Sequence, residues 1–341
     1  MAEPGAMRSL VDAGERSVAG GQRALAALFV VLALVFAGAA AATGDTFFFR
    51  LATEALIFAG LALSVDLLLG HTGLLSLGQA LFFGFGAYVS GLVLKHVAAS
   101  FWAAIGITLV AALVVGLIAG IISIRARGVY FALITFGLAQ VAFKVVFNTR
   151  EIGGSDGIIG IPQIRAEFGL FSVDTQSPAG FFLLTLAFIM LLYGLCAYLM
   201  QTPFGRVLAA IRTNEPRVAF LGFPAWQAKL AAFVVAAVVA ALSGSLYPML
   251  RGLVSPELLA FQISGNAVIM VVIGGVGTLA GALYGSVILT VLKSVIGTFT
   301  EHHLILIGAL FMLSVIFFPK GLAGYAAPHL ERWMARRAGR S

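Results

Sequence analysis

Charge is scarce in this sequence: Asp, Glu, Lys and Arg together make up 10% of its 341 residues, while 61% are hydrophobic. With a mean hydropathy of +1.05, that balance leaves too little polar surface for a water-soluble globule and points to an integral membrane protein. Cysteine occurs once, as Cys196 inside an apolar run, so an intrachain disulfide and a cysteine-based metal cluster are both excluded. No G-x-x-x-x-G-K-[ST] is present, so the chain lacks the loop with which it would bind ATP itself, and no H-E-x-x-H offers a zinc hydrolase. Apolar and polar residues do not alternate over segments of about ten residues, which excludes a transmembrane β-barrel. A helical bundle remains, because a helix satisfies its backbone hydrogen bonds within one segment, as hydrocarbon requires.

Unbroken apolar blocks about 17 to 25 residues long mark membrane spans. They fall at 24–43, 50–70, 80–97, 101–124 and 129–149 in the first half, and at 180–200, 225–249, 263–282, 284–300 and 304–319 in the second. The expected fold class is an all-α integral membrane protein of about ten transmembrane helices in one domain, 24–319, flanked by an N-terminal tail, 1–23, and a C-terminal tail, 320–341. In the first tail Arg8, Arg16 and Arg23 stand against Glu3, Asp12 and Glu15, too balanced for the charged end of a signal peptide. Starting from a cytoplasmic N-terminus, alternation puts both tails, Arg125, Arg127, Arg206, Arg212, Arg217 and Lys229 on one side, 14 of the 21 Lys and Arg. Arg50, Lys95, Lys144, Arg150, Arg165 and Arg251 lie on the other side, and Lys293 lies inside a span. Basic residues accumulate on the cytoplasmic side of membrane proteins, so this count predicts N-in and C-in. The same bias accounts for the net charge of +7 without nucleic acid, for which no motif is present.

Between the sixth and seventh spans lies the longest polar interruption that still has helical patterning, QTPFGRVLAAIRTNEPRVAFLGFP, residues 201–224. Thr202 is placed to cap a helix with Pro203 in its first turn, and Phe204, Val207, Leu208 and Ile211 follow at i, i+3, i+4 and i+7 on one apolar stripe. Asn214 is placed to cap a second short helix that tolerates Pro216, and Gly222 with Pro224 supplies a left-handed stop and a breaker. The prediction is two short helices at an elbow. Arg206, Arg212, Glu215 and Arg217 beside an apolar stripe suit a surface that meets a partner protein, and a helix lying in the headgroup layer would carry the same stripe.

Two glycine-rich stretches, HTGLLSLGQALFFGFGAY (71–88) and IGGVGTLAGALYG (273–285), lie at membrane depth, one in each half. Glycines there allow close helix packing or a broken backbone that lines a cavity, and paired interruptions in the two halves point toward a substrate path. Ser76 and Gln79 in the first stretch and Asn266 just before the second are the polar side chains best placed to face such a path, because a lipid-facing amide has no partner. The outer loop, 150–180, carries Gly153, Gly154, Ser155, Asp156 and Gly157, either a fixed turn or a gate or receptor contact. Glu54, Asp66 and Lys293 are the main ionisable residues within spans, too scattered for the relay of a proton-driven carrier. Glu54 and Asp66, near opposite ends of their helix, are expected to snorkel. Glu301, His302 and His303 form a polar turn without metal-site spacing.

TGLLSLGQALFFGFGAY (72–88), RGVYFALITFGLAQ (127–140), GGSDG (153–157), TPFGRVLAAIRTNEPRVAFLGFP (202–224) and VIMVVIGGVGTLAGALYG (268–285) look like the recurring blocks of one family, in that family's order. Over nearly its full length the chain resembles the permease subunits of ATP-binding-cassette (ABC) importers for branched-chain amino acids, the LivM type. The resemblance implies a multi-pass permease of the bacterial inner membrane that translocates Leu, Ile, Val or related hydrophobic amino acids. It implies that 201–224 is a coupling loop seated in a separate ATPase, with Thr202, Pro203, Phe204, Gly205, Arg206, Leu208, Ile211, Arg212, Glu215 and Gly222 as its working residues. The implied partners are a second, LivH-like permease, two P-loop ATPases and a periplasmic substrate-binding protein. ATP and Mg would sit on the ATPases, with no cofactor on this chain. In the wider importer superfamily such loops carry Glu-Ala-Ala followed by Gly; here Glu215 is followed by Pro216 and Arg217, and Gly222 falls one position later. Importers of urea or short amides share the architecture. An ion-coupled secondary carrier or a channel would need ionisable or carbonyl sites at the midplane, and a membrane enzyme a nucleophile with its base. Sparse intramembrane charge and the docking loop argue against the carrier and the channel, and the lack of a nucleophile and base pair against the enzyme.

Overall fold

A computed structural model describes residues 4–299 apart from 44–45, 163, 168–171 and 175–176, and, further on, residues 305–306, 308–309, 312, 316–317 and 321–326. The long helices are α1 (Pro4–Thr43), α2 (Thr46–Thr72), α3 (Gln79–Leu92, continued by a π-helical turn Val93–Val97), α4 (Phe101–Ser123), α5 (Val129–Asn148) and α6 (Pro178–Gln201). Between α5 and α6 run three short strands, β1 (Ile158–Ile159), β2 (Arg165–Glu167) and β3 (Ser172–Asp174). Then follow α7 (Pro203–Phe220), α8 (Ala225–Gly244), α9 (Tyr247–Arg251), β4 (Leu253–Val254), α10 (Phe261–Gly274) and α11 (Leu279–Phe299). Strand β2 pairs antiparallel with β3, and β1 with β4 through Ile158 to Val254 and Ile159 to Leu253, which ties the outer loop to the segment after α9.

Among the described residues eight helices are long and apolar enough to cross a membrane, so the all-α membrane architecture holds at that level. Two boundaries differ from the sequence expectation. Helix α1 begins at Pro4, so the segment expected as a tail is already helical before the membrane-length part, Gly20–Ala41. The predicted spans 263–282 and 284–300 divide at 275–278 and not at 283: α10 has 14 residues, about 21 Å of helix, too short to cross hydrocarbon about 30 Å thick. Much of the predicted span 304–319, and the turn with Glu301, His302 and His303, lie outside the described residues.

Helix α2 is the hub, because it is apolar around its whole circumference and can bury every face. It packs against α6, α8 and α11, and α3 completes the core on the other side of α8. Helix α8 reads AAFVVAAVVAALSG over its last fourteen residues. These small residues bring backbones together: Gly86 of α3 abuts the Ala241 carbonyl, and Gly60 of α2 abuts the Ser243 side chain.

Candidate functional site

Helix α7 starts at Pro203, where a missing N–H costs nothing, after the extended Thr202. The Thr202 hydroxyl does not cap it; it donates instead to the Leu199 carbonyl at 2.6 Å, finishing α6. The apolar stripe turns inward: Leu208 is fully buried and Ile211 nearly so, with Phe204 and Val207 half-buried against α6, α8 and α2. Gly205 lies so close to the Met200 carbonyl that a side chain would not fit the turn. Arg206, Ala209, Ala210 and Thr213 are left on the outer surface.

The predicted elbow is present. Asn214 leaves the helical region at φ −160°, ψ 92°, and its Oδ1 accepts the Arg217 N–H at 3.0 Å, capping the second helical piece with Pro216 in its first turn. Glu215 pairs with Lys229 of α8 at 2.7 Å, which clamps this piece to the bundle. Gly222 takes the left-handed conformation at φ +82° and Pro224 follows. Just there the chain presents an outward apolar patch that sequence reasoning passed over: Phe220 is 92% exposed, with Leu221, Phe223 and Trp226 also exposed. The signal was available, since Phe220 and Leu221 lie off the Phe204–Ile211 stripe in an otherwise polar loop.

Arg212 reaches inward between the two glycine-rich stretches. Its guanidinium donates to the Gly70 carbonyl in the last turn of α2, where helix carbonyls lack intrahelical partners and a cation is favoured. One turn earlier on α2, Asp66 is fully buried, and its Oδ1 accepts the Gly277 N–H at 2.6 Å. Its Oδ2 has no hydrogen-bond partner, and Arg212 is the cation whose charge acts on it. A side chain at Gly70 would fall 2.5 Å from the Gly277 nitrogen, and Gly277 sits at φ +83°, so glycine is required on both sides of this approach. The end of α2, helix α7 and the α10–α11 elbow therefore meet at Asp66, Gly70, Arg212 and Gly277. The expectation that Asp66 snorkels is wrong: its oxygen is held by a backbone donor from the other half of the chain.

The non-helical segment 73–78 between α2 and α3, and the first turn of α3 after it, are held by neighbouring hydroxyls. The Leu77 N–H donates to Thr135 Oγ1 of α5 at 3.2 Å, and the Ala80 N–H to Ser264 Oγ of α10 at 2.9 Å. Such satisfaction is what irregular backbone at membrane depth demands. Ser76 and Gln79 are enclosed within the chain, both amide atoms of Gln79 lacking partners, whereas Asn266 lies half-buried on an open face of α10. The three path candidates are not brought together.

At the opposite end, Gly153, Gly154 and Gly157 take positive φ as the turn prediction required, and Gly157 packs on the Val254 carbonyl. GGSDG has the G-x-S-x-G spacing of a hydrolase nucleophile elbow, but Ser155 lies in a 3-10 turn with its exposed hydroxyl on Asp156 at 3.1 Å, not between a strand and a helix. Glu54 does not snorkel alone; it pairs with Arg251 at 2.6 Å. Among the described residues no cluster could hold a metal ion.

The family described as branched-chain amino acid transport system, permease component, matches residues 47–315. The high-affinity branched-chain amino acid transport system permease protein LivM of Escherichia coli (strain K12) is 29% identical over 302 residues, 82% of this chain and 71% of that protein. LivM of Salmonella typhimurium is 30% identical over the same shares. The high-affinity branched-chain amino acid transport system permease protein LivH of Salmonella typhimurium is 25% identical over 201 residues, 58% of this chain and 60% of that protein.

Proposed function

This chain belongs to the family of branched-chain amino acid transport permeases, and we propose that its α7 elbow, with the apolar patch beyond it, is the surface on which an ATPase subunit docks. The chain is a multi-pass membrane protein and a permease subunit of an ABC importer for branched-chain amino acids, a transport component and not an enzyme. It works as one of a permease pair with a LivH-like partner, two P-loop ATPases that carry ATP and Mg, and a periplasmic binding protein that delivers the amino acid. Both termini and α7 face the cytoplasm, and the membrane is the bacterial inner membrane.

The observation that carries the docking surface is the exposed run of Phe220, Leu221, Phe223 and Trp226 beside Arg206 and Arg217, on an element clamped by the Glu215–Lys229 pair. An apolar centre with a basic rim matches the anatomy of a protein interface. ATP can bias the inward and outward states only if the ATPase contacts the permease differently in each. A rigid elbow transmits such a difference, and Arg212 with Asp66 delivers it to the hinge between α10 and α11.

Phe220→Asp tests this. A carboxylate at a protein interface is desolvated without a partner and costs several kcal/mol, on the order of 2–5, so the tagged permease should fold and bring down its permease partner but lose both ATPases. If both ATPases copurify at wild-type yield and leucine uptake is unchanged, the patch lies in the headgroup layer and the docking assignment is wrong.

A further inference from the structure

Three amides stand near the middle of the membrane with no hydrogen-bond partner among the described residues. Gln140 is eleven residues along α5 from Val129, about 17 Å of helix, and Gln262 is twelve residues from the Gly274 end of α10, about 18 Å. Asn266 lies about 6 Å nearer the Gly274 end of α10. Both reference ends are on the α7 side, because Thr135 near the start of α5 abuts Gly78 and the elbow after Gly274 meets Gly70 and Arg212. In hydrocarbon about 30 Å thick these depths are central. Gln262 is exposed, and Gln140 and Asn266 are half-buried.

The three lie on the outward faces of two neighbouring helices. The rings of Phe136 on α5 and Phe261 on α10 meet edge to face with centroids 5.2 Å apart. Gln140 follows Phe136 by one turn, Gln262 adjoins Phe261, and Asn266 follows by a little over one turn. Gly137 and Gly265 flank the seam between these helices, and a side chain at either would touch nothing, so the face is open. The outward face of α4 differs in kind, presenting Val110, Leu113 and Leu117 there, residues that lipid solvates. Lipid offers nothing to an amide, so the α5–α10 face must look onto water, substrate or protein.

We infer that Gln140, Gln262 and Asn266 form the polar wall of the substrate path and hold the backbone of the amino acid as it passes between this subunit and its permease partner. This rests on the importer reading. An amide suits a zwitterion because its N–H donates to the carboxylate while its C=O accepts from the ammonium. Being neutral, it holds neither charge too tightly to release, which transport requires as much as binding. The two glycines leave room for an aliphatic side chain beside the phenylalanine pair.

The test uses the complete importer in liposomes, with single cysteines replacing Gln140, Gln262 or Asn266 in a Cys196→Ser background and Val110→Cys as the lipid-face control. A membrane-impermeant methanethiosulfonate, which needs water to react, should modify all three seam positions, at rates that change between the nucleotide-free and vanadate-trapped states, and spare the control. Gln140→Leu and Gln262→Leu should each raise the KM for radiolabelled leucine about tenfold, the cost of one lost hydrogen bond, with all subunits recovered at wild-type levels. No reaction in either state overturns the inference: cross-linking to the partner permease would then identify a dry subunit contact, and its absence a lipid face. Unchanged KM in both leucine variants also overturns it. If the unsubstituted importer carries no leucine, the importer reading fails instead, and the labelling alone still reports whether the seam is wet.

Discussion

Replacing Arg212 by Gln removes the cation that, among the described residues, acts on the buried Asp66 carboxyl. Asp66 would keep its single hydrogen bond from Gly277, 2.6 Å long, while its second oxygen remains buried without a donor. Breaking a fully buried pair by deleting one partner costs about 3–5 kcal/mol. Arg212 is exposed on its outer side, so solvent screens part of the interaction, and about 2 kcal/mol is the expected loss. Asp66→Asn should cost about 1 kcal/mol or less, because the amide oxygen still accepts the Gly277 N–H and the charge that needed Arg212 is gone. In that background Arg212→Gln removes only the bond to the Gly70 carbonyl, again about 1 kcal/mol. The double-mutant cycle, read by equilibrium unfolding of the purified permease in SDS, should therefore show coupling of about 1 kcal/mol. The Arg212→Gln importer should also hydrolyse ATP with less leucine taken up per ATP, since α7 is no longer pinned to the α10–α11 elbow. Additive effects within about 0.5 kcal/mol, together with an unchanged uptake-to-hydrolysis ratio, would refute the reasoning.

The Glu215–Lys229 clamp should respond unequally to its two deletions. Lys229 is 4% exposed at its side chain and Glu215 26%, so Glu215→Gln strands a buried ammonium and costs about 3–5 kcal/mol, whereas Lys229→Met leaves a carboxylate that reaches water and costs about 1; the same SDS unfolding measures both, and equal losses would contradict the burial argument. Cysteines placed at Ser155 and at Gly339 in the Cys196→Ser background should react from opposite faces of intact membrane vesicles, Ser155 from the periplasm. Labelling of both from one side would sink the orientation derived from the charge count.

Local physics was legible in the sequence by itself. Eight of the spans could be located from apolar runs because a membrane helix satisfies its hydrogen bonds internally, and no distant residue needs to be known. The elbow at Asn214, Pro216 and Gly222 was legible for the same reason: capping, ring constraint and left-handed φ are properties of a few neighbouring residues. The break after α10 was legible only as a region, since IGGVGTLAGALYG offers several glycines. Packing chose among them: Gly275 and Gly277 take positive φ, while Gly281 and Gly285 stay helical under α10. The Phe204–Ile211 stripe could have faced lipid, an ATPase or its own bundle, because all three accept apolar surface, and only the tertiary structure turned it inward and left Phe220 outside. Asp66 was the least legible residue. Its donor lies 211 residues away, and the end of α2 finds both Gly277 and Arg212 only once two halves of the chain have packed. A buried charge has its partner decided by the fold and not by its neighbours in sequence.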